Sequence, residues 1–61
     1  MPIVTIKMIE GRTDDQKRAL VEEVTQAVSK TVNAPKENVW VVIEDMPKNN
    51  FGTAGVLKID N

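Results

Sequence analysis

The 61-residue sequence predicts a small α+β fold, a β-α-β unit with parallel strands followed by a C-terminal hairpin or arm. Three stretches carry that prediction: alternating residues from Pro2 to Ile9, a helical repeat after Thr13, and an apolar β-branched run from Val39 to Ile43. A single domain spanning residues 1–61 is expected, with Met1 removed from the mature protein because proline, a small side chain, follows it.

In the first stretch Val4, Ile6 and Met8 fall on one side of a strand, with Ile3, Thr5, Lys7 and Ile9 on the other. Glu10-Gly11-Arg12 ends it. Thr13-Asp14-Asp15-Gln16 then fits a capping box, which predicts a helix starting at Thr13 or Asp14. Leu20, Val21, Val24, Ala27, Val28 and Val32 recur at helical spacing, and Lys17, Arg18, Glu22, Glu23, Gln26 and Lys30 form the wet face. Asn33 suits a left-handed C-terminal position and Pro35 forbids much continuation, so the helix stops near Asn33.

Val39-Trp40-Val41-Val42-Ile43 has the pattern of a strand covered on both faces. Strand, helix, strand implies parallel pairing with a right-handed crossover. One helix covers one face of such a sheet, so identical chains are expected to cover the other. Pro47-Lys48-Asn49-Asn50 reads as a turn, and the glycine-punctuated Phe51–Gly55 segment with Val56–Ile59 reads as a short hairpin or arm packed on a neighbouring subunit.

A chain this short buries only about 60% of the surface it exposes unfolded, so small folds draw extra stability from disulfides, metals or association. With no Cys or His, disulfides and the usual zinc ligands are excluded, which leaves association. A formal net charge of -1 with scattered basic residues gives no footprint for nucleic acid. No apolar run approaches the roughly 20 residues needed to cross a bilayer, and no signal-like segment opens the chain. A soluble cytoplasmic protein is the expectation.

Candidate chemistry is sparse. The absence of His, Cys and Tyr removes the commonest general base, the thiol nucleophile and the phenol acid. Ser29 lies mid-helix without a partner base, and the acid pairs Asp14-Asp15 and Glu22-Glu23 read as cap and solvated charge. Glu44-Asp45 reads as the entry to a turn. Pro2 differs from all of these, because at a processed amino terminus its nitrogen is a secondary amine with a lone pair. Desolvation disfavours the charged form of an amine, so a buried terminal proline is a candidate general base. The bland alternative is a proline that only begins an edge strand.

Pro2-Ile3-Val4, the block Ile9-Glu10-Gly11-Arg12-Thr13-Asp14-Asp15-Gln16-Lys17, Ala34-Pro35, Glu44-Asp45-Met46 and Phe51-Gly52 together resemble the 4-oxalocrotonate tautomerase family, also called 2-hydroxymuconate tautomerase. The resemblance runs in register over nearly the whole chain. It implies a tautomerase (MIF-like) fold assembled as a homohexamer, a trimer of dimers, with sites built from neighbouring chains around each terminal proline. It also implies an isomerase that needs no cofactor and no metal, in which Pro2 moves the proton of a small 2-hydroxy-dienoate or enolpyruvate-type acid. Arg12 matches the arginine that binds and polarises the substrate carboxylate, and Phe51 the aromatic that walls the site. One position departs: where well-known members carry a second arginine on the second strand, this chain has Trp40, and Arg18 lies on the helix. Dicarboxylate activity is therefore left open, and Trp40 either stacks on a more apolar enol acid or packs between subunits. The same proline site with dehalogenation, hydration or decarboxylation, and a non-catalytic oligomeric module, are the alternative functions.

Overall fold

The computed structural model describes residues 1–60. Strand β1 (Ile3–Ile9) leads to helix α1 (Asp14–Val32), and a 3-10 turn at Lys36–Asn38 brings the chain into β2 (Trp40–Met46). β1 and β2 pair in parallel with Ile3 opposite Trp40 and Ile9 opposite Met46. After a second 3-10 turn at Lys48–Asn50, β3 (Gly52–Thr53) and β4 (Val56–Leu57) form a two-rung antiparallel hairpin, and a last 3-10 turn covers Lys58–Asp60.

The helix ends are set by side-chain and backbone chemistry. The Thr13 hydroxyl accepts from the Gln16 N–H at 3.1 Å while the Gln16 side chain accepts from the Thr13 N–H at 2.9 Å, so the predicted capping box is present. Asp14 and Asp15 place negative charge at the positive end of the helix dipole. At the other end Asn33 is left-handed at φ 58, its N–H and that of Ala34 turn back to the Ser29 carbonyl, and the Ser29 hydroxyl donates to the Ala34 carbonyl. Ser29 is thus a helix-end residue, not a nucleophile awaiting a base.

Burial follows the strand alternation. Val4, Ile6, Met8, Val41 and Ile43 are half-buried, whereas Ile3, Thr5, Trp40 and Val42 are exposed on the opposite side of the sheet. The helix supplies Leu20, Val21, Val24 and Val28 as its half-buried stripe. Ala27 and Val32, expected in that stripe, are exposed. The helix of 19 residues is about 28 Å long and the strands of 7 residues about 23 Å, so its last turn runs past the sheet.

The bounds of the second strand are corrected. It begins at Trp40 and continues through Met46, because the parallel ladder needs only backbone groups and is indifferent to the charges of Glu44 and Asp45, which sit in register with Lys7 and Met8. Within one chain the helix covers one of its faces, as expected of a single helix. Val39 alone among the described apolar residues is buried.

The arm is held by local geometry. Ala54 (φ 53) and Gly55 (φ 80) both adopt positive φ, the requirement of the tight primed hairpin turn. At Gly52 a Cβ would lie 3.0 Å from the Val56 carbonyl oxygen, so any larger residue there would have to push the opposite strand back by a few tenths of an ångström. Val56, Leu57 and Ile59 remain exposed. The molecule is a slab of 43 × 24 × 13 Å whose radius of gyration, 14.5 Å, exceeds the value of about 10–11 Å for a compact chain of this length. Its accessible surface, 4670 Å², likewise exceeds the roughly 4000 Å² of a compact monomer of this mass.

Replacing the cap, Thr13→Ala, is expected to cost about 1 kcal/mol. Thermal unfolding at matched protomer concentration should show a midpoint lowered by roughly 4–8 °C; an unchanged midpoint would mean that the capping box contributes nothing.

Candidate active site

Pro2 sits immediately before β1 and is half-buried. Its carbonyl accepts the Trp40 N–H at 2.9 Å, which extends the parallel ladder to the start of the chain and ties Trp40 to it. Trp40 opens β2 with half its surface exposed, on the sheet face away from the helix and beside Ile3. Pro2 and Trp40 therefore share one end of the sheet.

Arg12 lies past the other end. The Glu10 N–H donates to the Met46 carbonyl at 3.0 Å, and the chain then turns through Gly11 at φ 126, a conformation that glycine adopts freely, into the helix cap at Thr13. The Arg12 guanidinium is exposed, and its recorded hydrogen bond is a long one of 3.4 Å to the Ile9 carbonyl. Phe51 leads out of this same end of β2 through the Lys48–Asn50 turn; it is half-buried, and its carbonyl accepts the Lys58 N–H at 2.8 Å, rooting the arm. With β1 extended between them, Pro2 and Arg12 of one chain stand about 25 Å apart. A single chain brings Pro2 to Trp40 and leaves Arg12 out of reach of both.

Concave surface within one chain lies elsewhere. An open groove of about 480 Å³ runs along the helix between Asp14, Lys17, Arg18, Val21 and Glu22, and a smaller one of about 190 Å³ lies by Glu23, Gln26, Ala27 and Lys30. Neither is lined by Pro2, Arg12, Trp40 or Phe51. Among the described residues no three His, Cys, Asp or Glu side chains gather as a metal site, and no helix is long and apolar enough to cross a membrane.

One contact was not foreseen from the sequence. The Lys17 ammonium donates to Asp45 at 2.5 Å and bolts the first helical turn to the end of β2. That hydrogen bond raises the Lys17 pKa above its ordinary 10.5; partial burial opposes the rise, and the charges of Asp45 and then Asp14 reinforce it. The partners are 28 residues apart, and no local spacing announces them. By contrast Arg18 pairs with Asp15 at 2.7 Å within the helix and stays in solvent, where such a pair contributes little.

A two-stranded parallel sheet under a single helix holds the functional candidates of one chain at its opposite ends. The sequence profile described as "Tautomerase enzyme" matches residues 2–61. A probable tautomerase of Listeria monocytogenes is 60% identical over 60 residues, with 98% of each chain covered. Among solved structures, YwhB, a homologue of 4-oxalocrotonate tautomerase, superposes with a TM-score of 0.95 at 52% identity over 98% of each chain. A heterohexamer 4-oxalocrotonate tautomerase from Chloroflexus aurantiacus superposes with a TM-score of 0.93 at 25% identity, covering 98% of this chain and 97% of that one. The chain belongs to the tautomerase family, and its α+β fold is the tautomerase fold.

The Lys17–Asp45 pair gives a pH prediction with a definite sign. A pKa raised on folding contributes stability that is fully present below the unfolded value of 10.5 and is lost as pH rises through the folded value above it. The stability difference between wild type and Lys17→Met, followed by urea unfolding, should stay constant from pH 7 to about pH 10 and shrink beyond; a difference already vanishing at pH 8 to 9 contradicts the assignment.

Proposed function

We propose that this protein is a cofactor-independent keto-enol tautomerase in which the imino nitrogen of Pro2, freed by removal of Met1, is the general base and returning acid. The observation that carries the reading is the placement of Pro2 and Arg12 at opposite ends of β1, a strand whose outer edge is unpaired. A second copy pairing antiparallel along that edge about a two-fold axis sets the Arg12 end of each chain against the Pro2 end of the other. Two equivalent sites arise from one symmetric contact. Further copies cover the exposed sheet face and the arm, which accords with a trimer of such dimers.

Chemistry then follows from the groups present. A small enol acid enters with its carboxylate on the partner's Arg12, whose planar guanidinium offers paired donors and pulls electron density toward the carboxylate. Desolvation by the partner's Phe51 and the strand residues lowers the affinity of the Pro2 nitrogen for its proton, so it is available as a base near neutral pH. Pro2 takes the 2-hydroxyl proton of the dienol or enolpyruvate-type acid as the C–O π bond forms, and the displaced electron pair accepts a proton at carbon. The product is the keto acid, and atoms and charge balance without a co-reactant.

Trimmed protein should show activity that falls by about 10²- to 10⁴-fold in Pro2→Ala while assembly persists. Intact mass and a direct titration of the Pro2 nitrogen accompany that assay. Unchanged turnover in Pro2→Ala, or a nitrogen titrating like that of an exposed prolyl peptide, would sink the mechanism; a retained Met1 would leave an oligomeric module without this base.

A further inference from the structure

We propose that Lys17 and Asp45 are a positioning pair for Arg12, their contact holding the loop that carries the guanidinium and keeping the Asp45 carboxylate from capturing it. The inference rests on the tautomerase reading and deepens it, since the proposed mechanism gives neither residue a contact with substrate. Glu10, Gly11 and Arg12 join the end of β1 to the helix cap at Thr13. Both ends of this short loop are tied to one dipeptide at the end of β2. Glu10 donates its N–H to the Met46 carbonyl; Lys17, whose own N–H is bonded to the Thr13 carbonyl, reaches Asp45 with its ammonium. Between the ties the loop has little to hold it. Gly11 stands at φ 126 with nothing within 4 Å of where a Cβ would be, and among the described residues the Arg12 side chain is bonded at 3.4 Å to the Ile9 carbonyl alone. The two anchors therefore decide where Arg12 stands.

Charge gives the pair a second effect. Arg12 reaches back to Ile9, and Ile9 lies opposite Met46, the neighbour of Asp45. An unpaired carboxylate at Asp45 would stand near a guanidinium whose planar fork takes any carboxylate, the protein's own as readily as a substrate's. Lys17 occupies Asp45 at 2.5 Å and so leaves Arg12 free. Its side chain and that of Asp45 are 28% and 35% exposed, so solvent screens this pair less than it screens Arg18 and Asp15, at 73% and 93%. Arg18, paired on its own helix, supplies no substitute. Both members of the anchoring pair belong to one chain, so the contact is in place before any second copy arrives.

The assembled, trimmed protein is assayed on phenylenolpyruvate, with kcat and KM separated, beside Lys17→Met, Lys17→Arg, Asp45→Asn and Arg18→Met. Lys17→Met should lose about ten- to a hundredfold in kcat/KM, the scale set by a misplaced binding group, and chiefly through KM. Asp45→Asn, which loses the anchor but leaves no competing carboxylate, should lose less, and adding it to Lys17→Met should relieve part of that defect. Lys17→Arg, which keeps the ion pair, and Arg18→Met, which removes the same charge from the same helix, should stay near wild type. In an Arg12→Ala background Lys17→Met should add nothing, because its effect passes through Arg12. An unchanged KM in Lys17→Met, an effect undiminished in Arg12→Ala, an equal loss in Arg18→Met, or a defect that Asp45→Asn does not relieve overturns the positioning role. Should Lys17→Met fail to assemble, Asp45→Asn alone and in Arg12→Ala decides by the same criteria. Loss of the tautomerase reading itself shows differently, as turnover equal in wild type and Pro2→Ala.

Discussion

One helix cannot cover both faces of a sheet, and the rest of this molecule depends on that shortfall. Ile3, Trp40 and Val42 stand exposed on the uncovered face, and Val56, Leu57 and Ile59 on an arm that reaches away from the body. Removing apolar surface from water is the main favourable contribution to folding, yet one chain buries only Val39 among its described apolar residues. In the proposed assembly the missing burial comes from neighbouring identical chains, since the same exposed elements recur on every copy.

The same architecture underlies the proposal that the site is shared between chains. Parallel pairing puts the starts of both strands at one end and their ends at the other, so the residue before β1 and the residue after it are held apart by the full length of the strand. Main-chain bonds at both ends, Trp40 to Pro2 and Glu10 to Met46, make that separation rigid. The Lys17–Asp45 bond adds a clamp beside the loop carrying Arg12, fixing the helix start relative to the strand end. In the proposed assembly, what is preorganised within one protomer is the distance that a two-fold partner then closes.

Much of this was legible in the residues, and the parts that were not share a cause. The capping box at Thr13 and Gln16, the left-handed Asn33, the strand alternation of β1 and the hairpin glycines are local signals, and each maps to the feature it predicts. The far end of β2 was missed because Glu44 and Asp45 break the apolar run while leaving the backbone ladder intact. Ala27 and Val32 stand exposed despite their helical spacing, because periodicity reports which side of a helix is apolar and not which positions on it meet the sheet. Lys17 with Asp45 is a tertiary pairing without a sequence signature. Of the candidate site, the residues themselves were readable; that Pro2 and Arg12 lie at opposite ends of a strand emerges only from the topology.

The parallel register has a kinetic corollary. Ile3 must find Trp40, more than half the chain away, before any of the sheet exists, so the contacts that define the fold are long-range and loop closure precedes them. During synthesis β1 has no strand to join until β2, Trp40–Met46, has emerged, and its open edges are exposed to other nascent chains for that whole interval.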